Sequence, residues 1–149
     1  MPTLLLATAL AASGPSDAPQ VDLSGLPATA RARPAGQGDK PHPVEAFLLS
    51  EASTLTPGGT VRLGVLLKQD PDWHTYWRTP GDIGLPTTIR WTLPDGATAG
   101  PQVFPIPVRY EQDGMVSYGY DHQVLHTAWI QLPPSLPAKD TVKIGRAHV

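Results

Sequence analysis

Residues 72–91 read DWHTYWRTPGDIGLPTTIRW. Two tryptophans, a tyrosine and a histidine are crowded into the first part, and Pro80, Gly81, Gly84 and Pro86 follow at once. In an extended strand, side chains alternate, so Trp73, Thr75 and Trp77 face one way and His74, Tyr76 and Arg78 the other. Large aromatics of this kind fill the space between two packed sheets. The tryptophans are therefore predicted as core and Tyr76 as a half-buried partner. Pro80 then fixes φ, while Gly81 and Gly84 permit positive φ. The expected result is a strand ending at Arg78 and a rim loop of one fixed shape. Local bonds from Asp82 and Arg78 are expected to hold that loop. Beyond it, TTIRWTL at 87–93 alternates again, with Ile89, Trp91 and Leu93 inward and Thr88, Arg90 and Thr92 outward.

The same period of two recurs on both sides. VEAFLLS (44–50) reads as a first strand, TPGG (56–59) as a turn, and TVRLGVLLK (60–68) as a strand with Val61, Leu63, Val65 and Leu67 on one face. PQVFPIPVRY (101–110) carries three prolines, which limits it to an edge strand or extended segment. Asp95-Gly96 and Asp113-Gly114 are turn dipeptides. QVLHTAWIQL (123–132) is a long strand of mixed faces, and TVKI (141–144) begins another. No stretch carries a convincing helical period. Short strands separated by turn residues predict an all-β chain, an antiparallel immunoglobulin-like β-sandwich.

Composition sets the bounds. At 149 residues the chain is long enough for one domain with a real core. Eighteen prolines and 14 glycines suit a loop-rich β protein better than a helical one. A net charge of −2, from 11 basic and 13 acidic residues, gives no footprint for nucleic acid or an anionic membrane. With no cysteine, these residues offer no disulfide, thiolate metal site or cysteine nucleophile.

The first 12 residues contain the apolar run Leu4–Ala12, ending in small residues, and read as a signal-peptide core without its basic n-region. Residues 13–43 lack periodicity and are rich in Pro, Gly, Ala and Ser; they are predicted as a disordered leader. The domain is expected to span 44–144.

Other chemistry is thin. His122 and His126 are spaced i, i+4, which converges on a metal only on a helix, and zinc needs three or four ligands. Asp70 and Asp72 flank Pro71 in a turn, where solvated acids outnumber catalytic pairs. Ser117 has no base that sequence can establish. No phosphate-binding glycine loop is present. Neither a metal nor a cofactor is expected.

WHTYWRTPGDIGLPTTIRW resembles the signature of the amino-terminal periplasmic domain of DsbD/ScsB-type thiol:disulfide interchange proteins. FPIPVRY (104–110) and YGY (118–120) match the looser proline-rich and Gly-Tyr elements that follow in that family. The resemblance covers roughly 44–144. It marks Trp73, Tyr76, Trp77, Arg78, Pro80, Gly81, Asp82, Gly84, Trp91, Gly119 and Tyr120 as structural signature. Residues 118–124, YGYDHQV, depart from relatives that carry another acidic residue after the Gly-Tyr turn.

The resemblance implies a periplasmic domain of a parent anchored in the inner membrane. Its implied partners are periplasmic thiol and disulfide proteins and the parent's transmembrane electron-transfer domain, in a family also tied to cytochrome c biogenesis. The family's redox work is done by a cysteine pair on a strand after this segment, so no residue here takes that role. Ile144–Val149, IGRAHV, is also what ATC GGA AGA GCA CAC GTC encodes, the start of a common sequencing adapter. It is read as a non-native tail that truncates the sandwich before its cysteine strand. The alternative for that end is a native strand with a glycine bulge. The alternative for the whole is a secreted immunoglobulin-like module that binds carbohydrate or protein through exposed, coplanar aromatics.

Overall fold

The computed structural model describes residues 23–26, 28–32 and 40–136. The expected tail 144–149 and the signal core 1–12 lie outside them. A 3-10 turn (Ala28–Ala30) precedes eight strands: β1 (Arg31–Ala32), β2 (Val44–Ser50), β3 (Thr60–Gln69), β4 (His74–Gly81), β5 (Thr98–Ala99), β6 (Val108–Gln112), β7 (Met115–Asp121) and β8 (Gln123–Gln131). They form two antiparallel sheets, a five-stranded one in the order β1-β2-β3-β8-β5 and a three-stranded one in the order β4-β7-β6. No α-helix occurs among the described residues. The chain is an all-β, immunoglobulin-like sandwich, as its sequence predicts.

β3 supplies the centre of the larger sheet, pairing with β2 on one side and β8 on the other. Its alternating residues Val61, Leu63, Val65 and Leu67 are all buried, with Leu67 at 0% exposure. Two core clusters follow from this face. One joins Val65 and Leu67 to Val44, Tyr120 and Val124; the other joins Val61 and Leu63 to Ala128, Ile130 and Leu132. Burial at this level contributes roughly 1.5–3 kcal/mol per large aliphatic side chain.

The tight turns behave as their residues dictate. Asp113 and Gly114 take φ of 53° and 78° and join β6 to β7 as a two-residue hairpin, with Gln112 opposite Met115. The prolines of 101–107 leave that stretch outside the ladders except for one bridge, Val103 to Thr127. β6 begins only at Val108, at the edge of its sheet.

The structure corrects the sequence reading in several places. Residues 87–93 do not form a strand. Their facing is as predicted, with Ile89, Trp91 and Leu93 packed on the core. Ile89 takes part in a single bridge, and a side chain meets two of the backbone groups. Gln102 accepts from the Ile89 N–H at 3.0 Å and donates to the Thr87 carbonyl at 3.3 Å.

The other face of β3 alternates Arg62, Gly64, Leu66 and Lys68, a pattern that reads as half-exposed, yet Leu66 is 1% exposed there, opposite the core clusters. Within the stretch read as a structureless leader, Ala28–Ala30 forms the 3-10 turn and Arg31–Ala32 pairs with Phe47 and Ala46 of β2.

Candidate functional site

The signature stretch builds β4 and the rim of the smaller sheet. β4 pairs with β7 from His74 opposite Asp121 to Tyr76 opposite Gly119, then shifts register before Gly81 meets Ser117. The predicted break after Arg78 therefore falls later: Thr79, Pro80 and Gly81 remain in the strand. Pro80 is tolerated there because β4 is an edge strand and loses no necessary ladder bond.

Gly81 has φ of 97°, and a Cβ there would lie 2.4 Å from the Val116 carbonyl oxygen. Only glycine allows the two backbones to come this close. Gly119 permits the reverse approach, since a Cβ on it would meet the Thr75 carbonyl oxygen at 2.2 Å.

Asp82 fastens the rim, but not through local turn bonds. Its Oδ2 accepts from the Val116 N–H at 2.8 Å, and its own N–H donates to the Val116 carbonyl at 2.8 Å. Two bonds across 34 residues of sequence tie the loop to β7 rather than to itself. Arg78 takes no part; its guanidinium stands over the Trp77 ring at 5.0 Å.

Gly84, with φ of 93°, lies directly over the Tyr76 ring, where a Cβ would come within 2.4 Å of it. Thr87 closes the excursion, donating to the Tyr76 carbonyl from its N–H at 3.2 Å and its Oγ1 at 2.8 Å.

The aromatics divide differently from their alternation. Trp77 packs against the first core cluster and meets Tyr118 edge-on at 6.2 Å. Trp91 touches both clusters and so spans the length of the core. Both are partly rather than fully buried. Trp73 overturns its expectation as core: it is 56% exposed. It precedes β4, in a turn closed by its N–H on the Asp70 carbonyl at 3.1 Å, outside the strand whose alternation was used to place it. Its strand neighbour Thr75 is buried instead, and accepts a hydrogen bond from Gln69 Nε2 at 2.9 Å.

Tyr120 is 5% exposed and donates to the Pro105 carbonyl at 2.7 Å. Burial pushes its hydroxyl up to about 12.

Two groupings were not singled out from the sequence. On the outer face of the small sheet, His74 Nε2 is 3.1 Å from the Tyr76 hydroxyl and its ring stacks on Tyr110 at 5.2 Å. Desolvation, then the Asp121 carboxylate, raises the Tyr110 hydroxyl to about 12. Inside the sandwich, His126 is 0% exposed, with Phe104 at 5.1 Å and Tyr120 at 5.5 Å meeting it edge-on. Among the described residues neither of its ring nitrogens has a hydrogen-bond partner. Burial lowers its pKa to about 4, and the nearby Val103 backbone, short of hydrogen-bond geometry, offsets only part of this. The even positions Val124, His126, Ala128 and Ile130 all face inward, a signal that β8 does carry.

The remaining candidates separate. His122 sits exposed in the β7–β8 turn with φ of 59°, far in character from the buried His126. Among the described residues no three His, Asp or Glu side chains converge as metal ligands. Ser117 is 3% exposed and cannot meet a substrate. Trp73 and the half-exposed Trp129 belong to different parts of the sandwich, and among the described residues neither ring contacts another aromatic ring. A coplanar ligand-stacking platform is therefore not built from them.

Residues 43–145 match the family model described as thiol:disulfide interchange protein DsbD, N-terminal. The fold is similar to the crystal structure of the N-terminal periplasmic domain of ScsB from Proteus mirabilis, with a TM-score of 0.52 and 22% identity. That similarity covers 71% of this chain and 40% of the ScsB chain. No curated protein matches.

Proposed function

Because the chain belongs to the family of N-terminal domains of the thiol:disulfide interchange protein DsbD, we propose that it is the scaffold portion of a periplasmic protein-disulfide reductase. The observation that carries this reading is the family match over 43–145, which contains β4 and the rim loop that Asp82 and two positive-φ glycines hold. The chain spans 40% of the ScsB chain it resembles, so the redox chemistry is assigned to the parent protein.

In the proposed parent, a cysteine pair follows on a strand beyond these residues. One thiolate attacks a partner's disulfide sulfur and forms a mixed disulfide, and the partner's other sulfur leaves as a thiolate. The second cysteine thiolate then attacks the mixed disulfide. The partner departs as a dithiol, the pair becomes a disulfide, and two electrons have moved. A transmembrane domain of the same parent, anchored in the inner membrane, restores the pair. The present residues contribute rigidity: both clusters, Trp91 between them, and a rim fixed to β7 hold the sandwich in one shape.

The cysteine-free chain itself is expected to be inert, because exchange requires a thiolate. Reduction of a model disulfide in the presence of reduced glutathione should proceed at the glutathione-only rate whether or not the chain is added. Acceleration proportional to chain concentration would contradict the assignment of the redox role to residues outside it.

A further inference from the structure

The outer face of the five-stranded sheet carries a second apolar surface. Phe47, Leu66 and Leu125 stand in one row across β2, β3 and β8, since Phe47 pairs with Leu66 and Leu66 with Leu125. This row is on the side opposite both core clusters. Leu49, Gly64 and Thr127 form the neighbouring row. Gly64 leaves the surface low there; a Cβ on it would sit 2.7 Å from Leu125 Cδ1.

An outward face of an antiparallel sheet is ordinarily polar. Here Phe47 and Leu66 are nevertheless 5% and 1% exposed. Beside them Glu45 is 5% exposed, a carboxylate withdrawn from water on the same face.

We propose that the β2 side of this outer face, the Phe47 ring and the Glu45 carboxylate, is an interaction surface whose resident occupant is the chain's own upstream segment, Ala28–Ala32, held there as a displaceable strap. Arg31 is the clasp. It pairs in register with Phe47, places its guanidinium 5.7 Å from the centre of that ring, and forms an ion pair with Glu45. The guanidinium thus extends the row Phe47–Leu66–Leu125 by one strand and neutralises the buried carboxylate at its side.

The 3-10 turn Ala28–Ala30 contacts β2 directly upstream, and Leu23 and Leu26, joined by a turn bond of 3.3 Å, are half-buried. The grip is slight. β1 pairs with two of the seven residues of β2, and the Arg31 side chain remains 60% exposed. A short edge strand and an exposed ion pair make a contact that opens far more readily than the core. Opening frees the edge of β2, the Phe47 ring and the Glu45 carboxylate. Together they fit a short strand bearing one arginine, which is what Arg31–Ala32 supplies.

The test uses the full chain and three variants. Arg31→Glu puts a second negative charge against Glu45 and should release the strap. Glu45→Gln keeps the shape of the site and removes only the charge. The double variant Arg31→Glu/Glu45→Arg restores an opposite-charge pair with its sense reversed. Cleavage of the strap by a broad-specificity protease, followed by mass spectrometry, should be about tenfold faster in Arg31→Glu and in Glu45→Gln, and slow again in the double variant, because cleavage tracks the open population. A fluorescent peptide spanning residues 22–33 should bind the Arg31→Glu chain about tenfold more tightly than the wild-type chain, whose site is occupied.

Equal cleavage rates in wild type and both single variants would overturn the proposal, as would a peptide that binds neither chain. If Arg31→Glu does not fold, the cleavage rate of Glu45→Gln carries the test: faster cleavage than wild type supports the proposal and an equal rate overturns it.

Discussion

Trp91→Ala is expected to lower the free energy of unfolding by about 3 kcal/mol, the lower part of the range for removing a large aromatic from a packed core. Trp91 is partly exposed, which argues against the upper part of that range. Among the described residues it also packs against both core clusters. Its loss would leave a gap beside both. Urea titrations at neutral pH, read by far-ultraviolet circular dichroism, measure the difference. A loss below about 1 kcal/mol would remove Trp91 from its place as the anchor between the clusters.

A second large effect is expected on acidification. His126 is wholly buried, faces the rings of Phe104 and Tyr120, and among the described residues has no hydrogen-bond partner for either ring nitrogen. The titratable group facing it from β7 is Tyr120, whose hydroxyl is held on Pro105 and stays neutral throughout the acid range. The folded chain therefore binds the imidazole proton far less well than the unfolded chain, with a pKa of about 4 against 6.5. Stability from this source is complete above pH 6.5 and falls as pH drops toward 4, by about 3 kcal/mol in all at roughly 1.4 kcal/mol per pH unit. His126→Leu should flatten that part of the profile while carboxylate titrations leave their own slope in both proteins. Unfolding free energies for the two proteins at pH 7.5 and pH 4 isolate the histidine. Parallel losses in wild type and variant would show that protonating His126 does not oppose the fold.

The sandwich was legible where one residue's pattern decides its own environment. The alternation of Val61, Leu63, Val65 and Leu67 needs no partner to be read, and all four are buried. Asp113-Gly114 likewise carries its turn in its own dihedral preferences.

The reading failed where a distant group decides. Residues 87–93 alternate like a strand, yet Gln102 takes the Ile89 N–H and the Thr87 carbonyl, and nothing in TTIRWTL announces Gln102. Trp73 shares parity with Thr75, but parity states only a direction; whether anything lies in that direction depends on where β4 begins. Asp82 looked like a local turn cap because aspartate beside glycine usually is one, and its actual partner is Val116 across the sheet. His74 and Tyr110 stack through strand pairing that links β4, β7 and β6, a relation invisible in either segment alone. His126 is different: its inward parity with Val124, Ala128 and Ile130 was available, and it was obscured by reading β8 as a strand of mixed faces.

The roles of the signature residues follow the same division. Gly81 and Gly119 are explained by close backbone contacts, and Gly84 by the Tyr76 ring packed against it, none of which a side chain would survive. Tyr76, Trp77, Tyr120 and Trp91 are explained by packing. We place all of them as scaffold.

The central claim is that this sandwich supports a cysteine pair on a strand beyond these residues. Sequencing the gene past the codon for Lys143 tests it most directly. The account predicts a continued alternating strand and then two cysteines a few residues apart, within on the order of 10–25 residues, one strand-and-turn length. A stop codon directly after Val149, or a long in-frame continuation without a cysteine pair, would contradict it.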